Sequence, residues 1–241
     1  MQLLVSAANS KDASAALAGG ADIVDAKNPR AGALGAVSLD RLTEIHIAVG
    51  GVRPVTAAIG DASDEGAIER LSFEFAAVGT SLVKVGFNGI GSAARVASLL
   101  AAARRGVESG SRGRSGVVAV GYADDDASVA PAALAAIAAR AGARGILIDT
   151  TNKRGPGLRA LVDADTLAAW VARVHDHGLF VALAGKLTAS DLPFVRDLGA
   201  DVAGVRGAAC EGGRAGGVSA ERVRELISAL KGTPSEEVAR P

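Results

Sequence analysis

The segment "GGADIVDAKNP" (residues 19–29) decides the fold, because its pattern recurs along the chain. A glycine pair closes a helix-like segment, a short apolar strand follows, and the strand stops at charged residues and a proline turn. The other clear copies are "VGTSLVKVGFNG" (78–89), "AGARGILIDTTNK" (141–153), "HGLFVALAGK" (177–186) and "LGADVAGVRGAA" (198–209). Weaker copies at 2–10, 53–61 and 115–126 bring the number of expected strands to eight.

Segments with helical periodicity separate these strands. They cover residues 11–19, 38–49, 64–78, 91–105, 129–141, 164–176, 189–198 and 219–230. Strands that alternate with helices form a parallel sheet, and eight such units in a chain of 241 residues are typical of a closed TIM (β/α)8 barrel. We therefore predict one barrel domain over residues 1–231. We also predict a mobile loop at "RRGVESGSRGRSG" (104–116) and a disordered tail at 232–241.

The charge and composition exclude several classes of function. Lysine plus arginine and aspartate plus glutamate balance at 26 each, which argues against a nucleic-acid partner. The single cysteine, Cys210, indicates a reducing compartment, and we expect it to be a packing residue. No apolar stretch is long enough to cross a bilayer, and the N-terminus lacks the pattern of a signal peptide. We expect a cytoplasmic protein without a membrane partner, and the alanine-rich helices make a homo-oligomer plausible.

Ionisable residues gather where the predicted strands end. In a barrel the active site lies at this end of the strands. The residues found there are Asp25, Lys27, Asp61, Lys84, Tyr122, Asp124, Asp149, Lys153, Lys186 and Arg206. A single lysine at a strand end could simply hold its ammonium group in solvent. Four of them beside Asp25 and Asp149 favour a site that binds phosphate or that keeps one lysine neutral for attack on a carbonyl.

Two glycine-containing turns predict a phosphate site. Gly185 and Lys186 end the seventh strand, and Arg206 and Gly207 end the eighth, where TIM barrels commonly bind phosphate. Glycine lets backbone N–H groups approach an anion closely, and the cations add charge. The alternative is that these glycines only make tight turns. His175 and His177 lie at a helix end with a spacing unsuited to a metal, so we expect no metal site.

Several motifs together resemble one family over roughly residues 1–230. They are "LLVSA" (3–7), "GGADIVDAKNPRAGALGA" (19–36), "AAVGTSLVKVG" (76–86), "VAVGYAD" (118–124), "LIDT" (147–150) with Lys153, "ALAG" (182–185) and "VAGVRGAAC" (202–210). This combination resembles the (5-formylfuran-3-yl)methyl phosphate synthase family of methanofuran biosynthesis. The resemblance implies a TIM barrel that condenses two glyceraldehyde 3-phosphate molecules into a furan aldehyde phosphate, with loss of phosphate and water and without a cofactor.

The resemblance also implies roles for individual residues. Lys27 would form the Schiff base, Lys84 would accept a proton, and Asp149 and Lys153 would be further active-site residues. We expect Asp25 to orient Lys27, because the two side chains share one face of a strand. Two other functions are compatible with the same residues: a class I aldolase acting on a sugar phosphate, and a non-catalytic barrel that binds a phosphosugar.

Overall fold

Eight parallel strands close into a barrel in the order in which they occur along the chain. The structure is a computed structural model, and it describes residues 1–232. The strands are β1 (Gln2–Ala7), β2 (Ile23–Ala26), β3 (Val55–Asp61), β4 (Leu82–Gly86), β5 (Gly116–Tyr122), β6 (Gly145–Asp149), β7 (Phe180–Leu183) and β8 (Val202–Val205). Pairing of β1 with β8 completes the ring. The predicted TIM barrel is thereby confirmed.

Helices follow the strands and surround the barrel. They are α1 (Ser10–Ala18), α2 (Leu39–Val49), α3 (Glu65–Val78), α4 (Ala93–Ser111), α5 (Pro131–Arg140), α6 (Leu158–Leu161), α7 (Ala164–Asp176), α8 (Leu192–Asp197) and α9 (Ala220–Lys231). Short 3-10 helices occupy Ala189–Asp191 and Gly207–Ala209. Within residues 1–232, no helix has both the length and the apolar character needed to cross a membrane. The disordered tail was predicted for residues 232–241, and residues 233–241 lie outside the described part of the chain.

The prediction of a mobile loop at 104–116 is wrong for most of that segment. Helix α4 continues through it to Ser111, and Arg112 ends the helix in the left-handed conformation with a φ of 54°. Two of the glycines that suggested a loop, Gly106 and Gly110, are packing positions instead. A Cβ on Gly106 would lie 2.2 Å from the carbonyl oxygen of Glu69, and one on Gly110 would lie 2.3 Å from that of Phe73. Glycine therefore lets α4 approach the backbone of α3 closely.

Strand alternation divides the apolar residues into two cores. On β1, Leu3 and Val5 belong to the core between barrel and helices, whereas Leu4 belongs to the core inside the barrel. TIM-barrel interiors are usually filled by bulky side chains. Here Ala182 of β7 and Gly204 of β8 are small inward residues, and a cavity of about 620 Å³ lies inside the barrel.

One side of the barrel mouth is closed by the loop between β2 and α2. Leu34 of this loop is 1% exposed and packs in the interior core with Tyr122. Gly86 lies directly beneath them, since a Cβ there would come within 2.7 Å of Leu34 and 2.5 Å of the Tyr122 hydroxyl. Most polar residues that line the cavity come from β1, β2, β3, β4 and β6 and from the loops after β2, β6, β7 and β8.

Candidate active site

All nine residues predicted for the site line the same cavity. They are Asp25, Lys27, Lys84, Asp149, Lys153, Gly185, Lys186, Arg206 and Gly207. They come from five strands and the loops that follow them, and they meet because parallel strands in a barrel end on one rim. The sequence therefore predicted that these residues share one cavity, although it did not predict how the charged groups pair.

The expected pair of Asp25 and Lys27 is replaced by two other pairings. In the described part of the chain, Lys84 forms an ion pair with Asp25, while Lys27 lies 3.6 Å from Asp149. The reason is geometric. Two side chains that are two residues apart on one strand point in the same direction and lie about 6.5 Å apart. Their charged ends therefore do not meet easily. Side chains from different strands converge across the interior of the barrel.

The pair of Lys84 and Asp25 is deeply buried and enclosed by hydroxyl groups. The hydroxyl of Thr56 donates to Asp25 at 2.8 Å, and that of Ser6 donates to the other carboxylate oxygen at 3.2 Å. Burial lowers the pKa of Lys84, the charge of Lys27 lowers it further, and Asp25 only partly opposes them. The net effect is a lowered pKa for Lys84, with a hydrogen-bonded carboxylate beside it.

Asp149 lies between two lysines. Lys153 donates to Asp149 at 2.6 Å, on the side opposite the 3.6 Å contact with Lys27, and the N–H of Thr150 donates at 2.8 Å. Burial alone would raise the pKa of Asp149, but the two lysines and these hydrogen bonds bring it below its ordinary value. Burial lowers the pKa of Lys153, and the charge of Lys27 adds to that effect against the attraction of Asp149. The carboxylate of Asp149 therefore pairs with both Lys27 and Lys153.

The turn after β7 has an unusual backbone. Gly185 has a φ of 103°, and Lys186, which is not glycine, has a φ of 61°. The carbonyl of Gly185 accepts a hydrogen bond from the N–H of Leu158, and the ammonium of Lys186 donates to the carbonyl of Gly155. Lys186 thereby joins the turn after β7 to the loop after β6, and its exposed side chain remains at the edge of the cavity.

Arg206 lines the cavity, yet its guanidinium is engaged within the protein. It donates to the carboxylate of Asp12 at 2.6 Å and to carbonyl oxygens of Ser6, Gly216 and Arg214 at 2.8, 2.7 and 3.2 Å. Asp12 in turn accepts from the N–H groups at Ala8 and Val218. The buried ion pair therefore fastens the glycine-rich loop after β8 to β1 and α1.

Several further polar residues of the cavity were missed in the sequence, among them Ser6, Thr56 and Arg214. Ser6 and Thr56 belong to the inward faces of β1 and β3, which the period of two could have revealed. Arg214 lies in the segment "GGRAGG" (212–217), which matches no nucleotide-binding motif, and a sequence pattern gives no sign that its side chain reaches the cavity. Its guanidinium donates to the carbonyl of Gly32 at 2.9 Å.

The remaining ionisable residues at the strand ends support the loops. Asp61 accepts from the Tyr122 hydroxyl at 2.6 Å, and burial together with Asp61 raises the pKa of that hydroxyl. Asp124 accepts from the N–H groups of Thr151 and Asn152.

The paired charges of the cavity do not include Cys210, His175 or His177. Cys210 is buried, and burial raises the pKa of its thiol, as suits a packing residue. His175 contacts Asp201 just before the start of β8, at the opposite end of the strands from Lys27 and Asp149. Among residues 1–232, no cluster of His, Cys, Asp and Glu is arranged to hold a metal ion.

A closed parallel barrel with buried lysines and carboxylates at the carboxyl ends of its strands defines a TIM-barrel protein with an enzyme-like centre. Residues 3–227 match the family model described as 4-HFC-P synthase. A (5-formylfuran-3-yl)methyl phosphate synthase of Methanopyrus kandleri is 40% identical, over 95% of this chain and 98% of the relative. One of Methanocaldococcus jannaschii is 36% identical, over 96% of this chain and the whole relative. The chain belongs to the 4-HFC-P synthase family, and the family resemblance seen in the sequence is confirmed.

Solved structures with the same fold are more distant in sequence. A 3-hexulose-6-phosphate synthase superposes with a TM-score of 0.67 at 21% identity, over 95% of this chain and all of that one. A phosphoribosyl anthranilate isomerase from Thermus thermophilus superposes with a TM-score of 0.63 at 16% identity, over 97% and 100%. At such identities the likeness supports the fold alone.

Proposed function

We propose that this protein condenses two glyceraldehyde 3-phosphate molecules into 4-(hydroxymethyl)-2-furancarboxaldehyde phosphate, through a Schiff base on Lys27. The atoms balance when one phosphate and two water molecules leave. The curated relatives are named as synthases of this compound, under its name (5-formylfuran-3-yl)methyl phosphate, which supports the product. By the same family membership we propose a role in the biosynthesis of a methanofuran-type cofactor.

The observation that carries the proposal is the convergence of two buried lysines in one enclosed cavity. Lys27 comes from the end of β2 and Lys84 from β4, and each lies beside its own carboxylate. Imine formation needs a neutral amine that can attack an aldehyde, and removal of the α proton needs a base within reach of the same substrate. Lys27 is assigned the first role and Lys84, whose pKa burial lowers, the second.

The first half of the reaction forms the carbon–carbon bond. The amine of Lys27 adds to the aldehyde of one triose phosphate, and loss of water leaves a protonated imine. The electron-poor imine acidifies the neighbouring carbon, Lys84 removes its proton, and the resulting enamine attacks the aldehyde of the second triose phosphate. Asp25, held by Thr56 and Ser6, balances the charge that appears on Lys84.

The second half eliminates phosphate and water and closes the furan ring. Each elimination needs an acid for the departing oxygen, and hydrolysis of the imine returns the free amine of Lys27. Lys153 and Asp149, hydrogen-bonded at 2.6 Å, supply a donor and an acceptor beside Lys27. Aromatisation of the ring pulls the sequence forward. None of these steps requires a redox group, in keeping with the proposal that the enzyme uses no cofactor.

A direct test is incubation of the protein with glyceraldehyde 3-phosphate. We expect furan absorbance to rise in step with phosphate release, and borohydride added during turnover to trap a reduced adduct on the peptide that contains Lys27. The control variant Lys11→Ala should form the furan and the adduct as the wild type does, because Lys11 is an exposed lysine of α1 away from the cavity. An aldol product without a furan would indicate a class I aldolase instead. Binding without turnover would indicate a phosphosugar-binding barrel.

Assembly and location are separate proposals. Several large apolar side chains on the surface of α2 and α3, including Ile47 and Phe73, support a homo-oligomer. Light scattering on the purified protein measures its mass and tests this directly. A cytoplasmic location is supported by the reducing conditions that a single free thiol suits.

A further inference from the structure

The loop after β8 presents two arginines to the cavity, and they differ in what their guanidinium groups contact. Arg206 directs its donors at Asp12 and at three carbonyl oxygens of the protein. Arg214 makes a single side-chain hydrogen bond among the described residues, to the carbonyl of Gly32. A guanidinium has five N–H donors, so Arg214 keeps most of its capacity for a ligand, whereas Arg206 does not.

The position of Arg214 is set by the rest of the loop. Its own carbonyl accepts a hydrogen bond from Arg206, and Gly212 and Gly213 before it adopt φ values of 73° and 79°. A Cβ on Gly207 would lie 3.7 Å from the backbone nitrogen of Arg214, so these two residues are neighbours. Arg214 therefore lies next to one of the two turns that the sequence indicated for phosphate.

The electrostatic surroundings of Arg214 suit an anion. Lys153 and Lys186 line the same cavity, and Arg214 contributes to lowering the pKa of Lys153. Burial lowers the pKa of Arg214 itself, and the charge of Arg206 adds to this effect against the attraction of Asp149. Partly desolvated like charges that repel one another are stabilised by a dianion between them, and the planar fork of arginine matches two phosphate oxygens.

We propose that Arg214 is the residue that binds the phosphate group of the substrate, and that Arg206 is a positioning residue that holds the loop carrying it. This inference rests on the proposed function only in taking the substrate to be a phosphate monoester. Arg214 contacts the phosphate together with the turn at Gly207 and the rim at Lys186. Arg206 acts at a distance, through its hydrogen bonds to the carbonyls of Arg214 and Gly216.

The test measures binding of inorganic phosphate to purified full-length protein by titration calorimetry, without turnover. Arg214→Gln should weaken binding roughly ten- to a hundredfold, which is the range for losing hydrogen bonds to a charged group. Arg214→Lys keeps the charge but loses the fork, and it should fall between this variant and the wild type. Arg30→Gln is the matched control, since Arg30 is an exposed arginine outside the cavity, and its affinity should equal that of the wild type.

A second measurement separates recognition from structure. Arg214→Gln should raise KM for glyceraldehyde 3-phosphate but leave borohydride trapping of unphosphorylated glyceraldehyde on Lys27 unchanged, and its melting temperature should stay that of the wild type. Unchanged phosphate affinity in Arg214→Gln would overturn the inference whether or not furan is formed. If the wild type binds phosphate through Arg214 but makes no furan, the proposed reaction fails and the binding residue stands.

Discussion

The two lysine–carboxylate groups of the cavity differ in their charge balance. Lys84 and Asp25 form one cation and one anion, closed off by the hydroxyls of Ser6 and Thr56. At the rim, Lys27 and Lys153 share the single carboxylate of Asp149. The deep pair therefore sets one lysine against one carboxylate, whereas the rim group sets two lysines against one, and burial lowers the pKa of Lys153 within it.

In the proposed reaction, this difference suits the two groups to separate tasks. A nucleophile must face the substrate, and Lys27 does so from the rim, beside Asp149. A base that returns its proton later has to be neutral at rest and must tolerate a charge briefly. The insulated pair of Lys84 and Asp25 meets that second requirement, because the carboxylate is already fixed beside the amine. The predictions below test this division.

Replacement of Lys27 should have the largest effect. Lys27→Arg keeps the positive charge near Asp149 but cannot form an imine, so both the borohydride adduct and the furan should disappear, as in Lys27→Ala. Mass spectrometry of the trapped peptide and furan absorbance give the two readouts. Furan formation by the arginine variant would make Lys27 a purely electrostatic residue and would move the nucleophile to Lys84 or Lys153.

Replacement of Lys84 should slow turnover without preventing the adduct. Lys84→Ala removes the proposed base, and loss of one acid–base group costs roughly 10²–10⁴-fold in rate. Lys27 keeps its contact with Asp149 in this variant, so borohydride should still trap an adduct there. Single-turnover rates and trapping yields distinguish the two steps. Equal loss of adduct and furan would show that the deep and rim groups act as one unit.

The pH dependence of the rate should reflect the protonation of Lys84 in its pair with Asp25. Because burial lowers the pKa of Lys84, the neutral base is already available below the ordinary range of lysine, which is about 10.4. The rate should therefore fall as pH decreases through this lowered pKa. Asp25→Asn removes the carboxylate that opposes the shift, and it should move the fall to still lower pH. If the rate of the wild type instead fell at the ordinary pKa of lysine, the assignment of Lys84 as the base would be contradicted.

Removal of a single hydroxyl beside Asp25 should have the smallest effect. Thr56→Val deletes the 2.8 Å hydrogen bond to Asp25 but leaves the contacts from Ser6 and Lys84. We expect kcat to fall roughly tenfold or less, because Asp25 keeps its other partners and a typical hydrogen bond contributes only about 0.5–1.5 kcal/mol. Thr43→Val, at an exposed position of α2, is the control and should match the wild type in kcat. A drop as large as that of Lys84→Ala would mean that the whole pair had rearranged.

The fold and the location of the site were predictable because both follow from periodic signals. Short apolar strands ending in charged turns predicted the barrel, and the convergence of strand ends predicted that Lys27, Lys84 and Asp149 would share a cavity. The segment 104–116 misled because its composition is that of a loop. Whether a glycine loosens a chain or lets two helices touch depends on the partner helix, which local sequence does not contain.

The pairing of charges was not predictable for a related reason. The pairing depends on which charged groups meet across the barrel interior. Their meeting follows from the tilt and curvature of the closed sheet rather than from spacing along one strand. The same holds for the arginines of the β8 loop. Arg206 looks like a phosphate ligand in sequence, and only the folded structure shows that most of its donors bind Asp12 and carbonyl oxygens of the protein.

The contact between Asp12 and Arg206 also bears on how the chain folds. It joins residues 194 positions apart, and the hydrogen bond from Val218 to Asp12 spans 206. Contacts of such long range form late, because the entropy of closing a large loop must be overcome first. Asp12 lacks its cation until the last strand has docked beside the first. The loop that carries Arg214 gains these contacts only then, so the proposed phosphate site is completed late, when synthesis of the chain is nearly finished.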